Sequence, residues 1–425
     1  MFNYHQQTKH SYYSVRSNPN QIDWSEQPST YKSYPKFFKK FPLVLGNPWH
    51  DLVYYSGSIS AEKVYPPSTK YSLRTNPSAG ALYPNELYFQ ARGIGAFPDG
   101  IYHYEVKTNC VTLLHGLKGK EGLELYMGYT SAMRGILFLV SCVYYRSSWK
   151  YKNRGFRYCL LDAGHLLGSI ESSALLMPHT TEIRYDIERQ ALNKMFGFMR
   201  HEFFVAGASV CVPIPHSMVE PFDLGLAYVD ASGTFEANAL IEEAYIETSS
   251  LQSPKISTQS PEFTYHIPKL RESIVARRSQ RGFKGESMSK AQYEFILHAI
   301  TAPILSDCDE KVDIFIVLNR VKDMPIGLYK EEKLITNKDY AKKAGYLCLE
   351  QYSLATEGAM TLFFVSSAKN YQALYQKAGM IGQRAYIASE YQDLGCSGIG
   401  AYYDDEVSAF VEEEGMVLYA LAIGR

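Results

Sequence analysis

The chain has 425 residues, 46% hydrophobic and 20% charged, with Lys+Arg 43 against Asp+Glu 44 and a formal net charge of -1. This is the composition of a globular protein of two or three domains. The near-neutral balance sets aside nucleic acid and anionic membrane surfaces as bulk partners. Seven Cys, an odd number with no CxxC pair, fit free thiols in a reducing cytoplasm better than a disulfide framework. No His/Cys spacing resembles a metal site, and no metal is expected. The N-terminal MFNYHQQTKHSYYS has no apolar signal-peptide core. The longest apolar run, near Gly135–Tyr145, is shorter than the ~20 residues of a membrane span. A cytoplasmic protein without a membrane partner is expected.

Residues 1–66 are polar, aromatic and rich in Pro. Gln27–Pro42 carries too many breakers for one long helix, so short helices and loops are expected there. Residues 71–84 (YSLRTNPSAGALYP) are turn-rich and lead into a strand at Glu86–Ala91. Gly100–Leu114 reads as a β-hairpin with Lys107–Asn109 at its tip. Leu137–Tyr144 reads as a buried strand, and Arg157–Leu176 as a core helix. Residues 249–261 (SSLQSPKISTQSP) are the best linker candidate. The pattern then restarts. Glu294–Ile300 reads as helix, Val312–Leu318 as strand and Gly345–Glu357 as helix. Thr361–Ser366 follows as strand, Ala378–Tyr391 as helix and Met416–Ile423 as a final strand. The organisation expected is a leader over 1–66, a first domain over 67–230, a linker over 231–266 and a second domain over 267–425.

The restart is a repeat. LFLVSC at 137–142 returns as LFFVSS at 362–367, and GIY at 100–102 returns as GLY at 327–329. AG at 163–164 returns at 378–379. Solenoid repeats recur every ~20–50 residues, so a spacing beyond 200 indicates two copies of one domain. Alternating helices and strands make each copy α+β or α/β.

Three segments suggest chemistry. Arg277–Arg281 (RRSQR) gathers guanidiniums and a hydroxyl that suit a phosphate or a polar ring edge. Arg277 and Arg281 share a face if the segment is helical. Pro77–Pro84 (PSAGALYP) is built of small residues that let a ligand approach backbone N–H groups. Asp393–Asp405 (DLGCSGIGAYYDD) has three glycines in six residues and is expected as a loop able to wrap a flat ligand. Taken singly, each also reads as a solvated charge run, an ordinary turn or a helix C-cap.

Together the segments resemble the nitroreductase-like flavoproteins, and within them the SagB/ThcOx-type dehydrogenases that oxidise azolines to azoles in modified peptides. RTNPSAGALYPNELYF (74–89) with GIYHYE (100–105), WKYKNRGFRYCLLDAGH (149–165), RRSQRGF (277–283) and GCSGIGAYYDDE (395–406) carry the resemblance. It implies two tandem nitroreductase-like domains, each a mostly antiparallel sheet flanked by helices, paired as an intramolecular pseudo-dimer. The implied cofactor is FMN. Arg277, Arg278, Ser279, Arg281, Cys396, Gly398, Ile399 and Gly400 would contact it from one copy, and Pro77, Ser78, Ala79 and Gly80 from the other. Lys150 and Tyr151 match the subfamily's lysine–tyrosine pair and are the implied catalytic base.

The copies have lost different parts. The first has SSALLMPHTTEIRY (172–185) where a glycine loop belongs, and no RRSxR precedes it. The second has TAPILSDCDEK (301–311) where PSAG should stand. One complete flavin site per chain is expected. The leading expectation is a dehydrogenase acting on a heterocycle-bearing peptide or small substrate, with peptide-modifying enzymes as partners. The alternatives are an NAD(P)H-dependent nitro or quinone reductase and a flavin-free binding or scaffold subunit.

Overall fold

The computed structural model describes residues 3–17, 22–65, 69–221, 225–252, 254–257 and 259–425. The expected domain boundary at 66 and 67 lies outside them, as do Ser253 and Thr258 of the expected linker. The chain forms two compact units. One comprises residues 23–261 with 304–309, and the other 1–22, 262–303 and 310–425.

In the first unit the strands lie in the order Lys40–Pro42, Cys110–Gly116, Gly100–Glu105, Asn85–Arg92, Met133–Cys142, Phe203–Pro213, Glu182–Arg184. Every pairing is antiparallel. The hairpin turns where expected, with Glu105 opposite Cys110 and Asn109 left-handed at φ 50°. In the second unit the order is Lys333–Thr336, Gly327–Lys330, Asp313–Leu318, Met360–Ser366, Met416–Gly424, Gly395–Ile399, again antiparallel throughout. Without Lys40–Pro42, the sheets are the same in order and in chain direction. The repeated sequences take matching places. LFLVSC and LFFVSS fall on the strands Met133–Cys142 and Met360–Ser366, and the two AG pairs on the helices Gly155–Ala174 and Tyr371–Tyr391. The fold is α+β, built twice.

Local chemistry sets several element ends. Asn47 caps the helix Pro48–Gly57 by accepting from the N–H groups of Trp49 and His50, and Pro48 opens it where no N–H is needed. Ser289 and Gln292 close a reciprocal capping box on Lys290–Thr301. The expected helix over 345–357 is instead Ala341–Leu347 followed by a separate π-helical turn at Tyr352–Thr356. Leu349 and Glu350 between them are left-handed, which breaks the helix. The expected leader is divided. The helix Asn3–Gln7 lies with the second unit, where Tyr4 and His5 pack edge-on against Tyr371. The expected linker is pinned within the first unit, since Lys255 N–H donates to Asp307 O and Ser257 N–H to Ser306 O.

Both long helices are buried over nearly their whole length. The first unit's apolar core includes Tyr88, Leu139, Phe196 and Phe204. Against it Lys32 Nζ pairs with Glu202 Oε2 at 2.7 Å, with neither side chain exposed. Tyr88 and Ser141 donate to the other carboxylate oxygen at 3.0 and 2.6 Å. Removing one member of such a pair leaves a buried charge without compensation. Lys32→Met is therefore expected to destabilise the protein by about 3–5 kcal/mol. Lys32→Met with Glu202→Gln should recover much of that loss in a denaturant titration.

Candidate functional site

In the first unit, the turn after Arg74 is left-handed three times in four residues: Gly80 at φ 64°, Ala81 at 55° and Tyr83 at 45°. Two of these carry a Cβ and are strained. The turn is held at both ends. The Ser78 hydroxyl donates to Asp162 Oδ2 at 2.5 Å and accepts from Tyr83 N–H at 2.9 Å, and Ala79 N–H donates to Asp162 Oδ1 at 3.2 Å. At the far end Arg146 Nη1 donates to Tyr83 O at 2.8 Å and to Glu86 Oε1 at 2.6 Å. Burial alone would raise the Glu86 carboxyl, but Arg146 and the His103 hydrogen bond hold it well below the usual carboxylate range.

Lys150 and Tyr151 close the helix Tyr145–Tyr151. A Cβ on Gly80 would lie 2.8 Å from the Tyr151 hydroxyl and 3.2 Å from Lys150 Nζ. The small turn and the lysine–tyrosine pair, far apart in sequence, are thus one local site. Lys150 Nζ also lies 5.3 Å from the centre of the Trp24 ring, a distance that suits an ammonium–π contact. Tyr151 packs on Tyr158 with ring centres 4.4 Å apart.

In the second unit, the RRSQR segment is not helical. The helix Ile267–Ala276 ends before it, and Arg277 is its cap with ψ 124°. Arg277 and Arg281 therefore share no helical face. Arg277 is buried with its guanidinium 5.1 Å from the centre of the Tyr386 ring. Arg278 folds back and donates to Val275 O and Arg277 O, satisfying helix-terminal carbonyls. Arg281 is exposed and makes no ion pair among the described residues. The glycine segment is not a loop either. Gly395–Ile399 is the sheet's edge strand, paired with Met416–Gly424. A Cβ on Gly395 would strike Gln280, and one on Gly398 the Tyr419 hydroxyl, so the protein's own packing demands these glycines. Gly400 follows the strand, half-buried. Cys396 and Ile399 are buried, and burial pushes the Cys396 thiol up.

Tyr386, on the long helix, joins the two segments. Its hydroxyl is 2.8 Å from Ser279 Oγ and accepts from Gly398 N–H at 2.6 Å. Gln280 N–H donates to Cys396 O beside it. Burial pushes the Tyr386 phenol up to about 12, so it stays protonated. Asp162 does the corresponding work in the first unit, bonding one serine hydroxyl and one backbone N–H. Neither residue stood out in the sequence. Asp162 falls within the segment 149–165 and beside its AG pair, and Tyr386 lies on the helix that carries the second AG pair.

The place of the glycine strand is taken in the first sheet by Glu182–Arg184. Residues 304–309 cover it. Ile183 N–H donates to Leu305 O, and the Asp307 carboxylate accepts from the N–H groups of Tyr185 and Asp186, both at 2.9 Å.

Residues 274–425 match the model of the Nitroreductase family and carry a domain of that family. A protein of Methanocaldococcus jannaschii, provisionally assigned as a nitroreductase, is 30% identical over 101 residues, which are 23% of this chain and 50% of that protein. The chain thus spans about half the length of this curated relative. A crystal structure from Anabaena variabilis, likewise provisionally assigned, superposes with a TM-score of 0.80 at 22% identity, covering 99% of this chain and 98% of its own. It establishes the fold of the whole chain. Among the described residues no helix is long and apolar enough to cross a membrane.

Tyr386→Phe removes the acceptor of Gly398 N–H and should destabilise the protein by about 1–2 kcal/mol in a denaturant titration. Asp162 gives a pH signature. Burial raises its carboxyl from 3.8 to about 7, against the lowering effect of Ser78 and Ala79. A raised acid is held protonated by the fold, so its contribution is full below the unfolded value and is lost as pH rises through the folded one. Between pH 5 and 8 the protein should lose roughly 2–3 kcal/mol relative to Asp162→Asn. Thermal unfolding of both proteins across that range is the check.

Proposed function

We propose that the chain is an FMN-dependent oxidoreductase of the dehydrogenase type, binding one FMN. The observation that carries this is the meeting of Gly80 with the head groups of Lys150 and Tyr151. A turn of small residues beside an amine and a phenol suits a site where a proton leaves while a hydride departs elsewhere.

The donor set suits FMN. Arg281 offers an exposed guanidinium with no ion pair among the described residues, which fits the phosphate, while the Ser279 hydroxyl and Gly398 N–H are already engaged by Tyr386. Arg277 and Arg278 add positive charge where a reduced flavin would be anionic. Ser78 acts through its bond to Asp162 rather than as a free donor, so the turn's remaining contribution is the backbone at Gly80. The cover of residues 304–309 over Glu182–Arg184 supports a single flavin, since that edge carries Glu, Ile and Arg in place of glycines.

FMN, when bound, supplies the two-electron acceptor for a hydride. Lys150, as the neutral amine, takes the proton that must leave the substrate to complete the oxidation. Tyr151 orients that amine. For a thiazoline or oxazoline, loss of one hydride and one proton makes the aromatic azole, and this is the substrate class proposed, in a modified peptide. Molecular oxygen or another acceptor would take the electrons onward. The family match of residues 274–425 favours a second reading, an NAD(P)H-dependent nitro or quinone reductase.

Purified protein should be yellow and release one FMN per polypeptide. Lys150→Ala should retain FMN and lose azoline oxidation by about 10²-fold or more, the usual scale of a general base. Bleaching of the bound flavin by NAD(P)H, with full turnover in Lys150→Ala, would instead establish the second reading. Colourless protein that takes up no added FMN would point to a binding subunit.

A further inference from the structure

We infer that Asp162 is a positioning residue that holds the Pro77–Gly80 turn in the form that receives FMN. This rests on the flavin reading above and adds to it a buried residue from the middle of the long helix.

Three observations converge on Asp162. First, the turn it holds is strained, with Ala81 and Tyr83 left-handed, and such backbone persists only where its surroundings over-determine it. Second, the carboxylate is buried, 4% exposed, yet makes no ion pair among the described residues. Its oxygens are satisfied by the Ser78 hydroxyl and Ala79 N–H, both in the turn. An acid withdrawn from water without a cation is unfavourable unless its hydrogen bonds are well made, so its partners specify what it is for. Third, the turn is tied to the two side chains that matter for chemistry. Tyr83 N–H closes back on the same Ser78 hydroxyl, and Gly80 lies against Tyr151 and Lys150. Releasing Ser78 and Ala79 frees the segment that spaces the lysine from any ligand.

Protonation of Asp162 alters the clamp. The neutral acid can donate to Ser78 where the carboxylate only accepts. Cys142, buried nearby, feels the Asp162 charge, and burial keeps that thiol protonated. The hydrogen-bonding partners on the turn, Ser78 and Ala79, carry no charge.

The test is FMN affinity, read from quenching of flavin fluorescence by the flavin-stripped full-length chain. Asp162→Ala and Ser78→Ala should each weaken binding at least tenfold. The double variant should be no weaker than the weaker single one, because both remove the same bond. Asp162→Asn, which still accepts from Ala79 N–H, should restore affinity to within threefold of the unmodified protein. It should also abolish the change of affinity with pH around 7 that is expected of the unmodified protein. Additive losses in the double variant, or binding by Asp162→Ala within twofold of the unmodified protein, would overturn the inference alone. Should Asp162→Ala not fold, Ser78→Ala and the pH profile of Asp162→Asn decide. Unchanged affinity in the first with an unchanged profile in the second refutes the clamp. An unmodified chain that leaves FMN fluorescence untouched removes the flavin reading, and this inference with it.

Discussion

In each unit, one polar side chain on a buried helix bonds a segment of the candidate site, a turn in the first unit and an edge strand in the second. Asp162 bonds Ser78 and Ala79, and Tyr386 bonds Ser279 and Gly398. These groups lie in a low-dielectric interior, where an unmade hydrogen bond is expensive and a made one is directional. The helices Gly155–Ala174 and Tyr371–Tyr391 are surrounded by protein along nearly their whole length, so their polar residues have little water to turn to. That constraint fixes the two glycine-bearing segments.

The two units solve the same problem with different chemistry. A phenol serves where the partner segment brings arginines, and Arg277 lies 5.1 Å from the centre of the Tyr386 ring. An acid serves where the segment is a turn of small neutral residues, and there its oxygens bond an N–H and a hydroxyl. The matching strand orders show that one architecture carries both. The same architecture thus carries different site chemistry in the two units. Residues 304–309 pair with Glu182–Arg184, since an edge strand needs its backbone groups satisfied.

Glycine and arginine in the candidate segments carry meanings that their one-dimensional pattern hides. The pattern GCSGIG reads as a ligand-wrapping loop, whereas it is an edge strand with Gln280 and Tyr419 occupying the space at Gly395 and Gly398. RRSQR reads as a cationic cluster, whereas Arg278 spends donors on the end of its own helix. Of the segment's three arginines Arg281 is the exposed one, with no ion pair among the described residues. Spacing reports which residue types are near one another, and it carries no information on which already have partners.

The sequence by itself determined the α+β class, the doubling of the architecture and the strands whose apolar runs are long enough to be buried on both faces. It did so because hydrophobic period and repeat are local properties of the chain. It also picked out the turn at 77–80 and the pair at 150–151. Tertiary structure alone decided that these two meet, that residues 304–309 lie with the first unit, and that Asp162 and Tyr386 are the clamps. Each of those facts depends on a contact between residues distant along the chain. A buried acid on a helix looks like any other acid until the fold brings it a hydroxyl and an N–H.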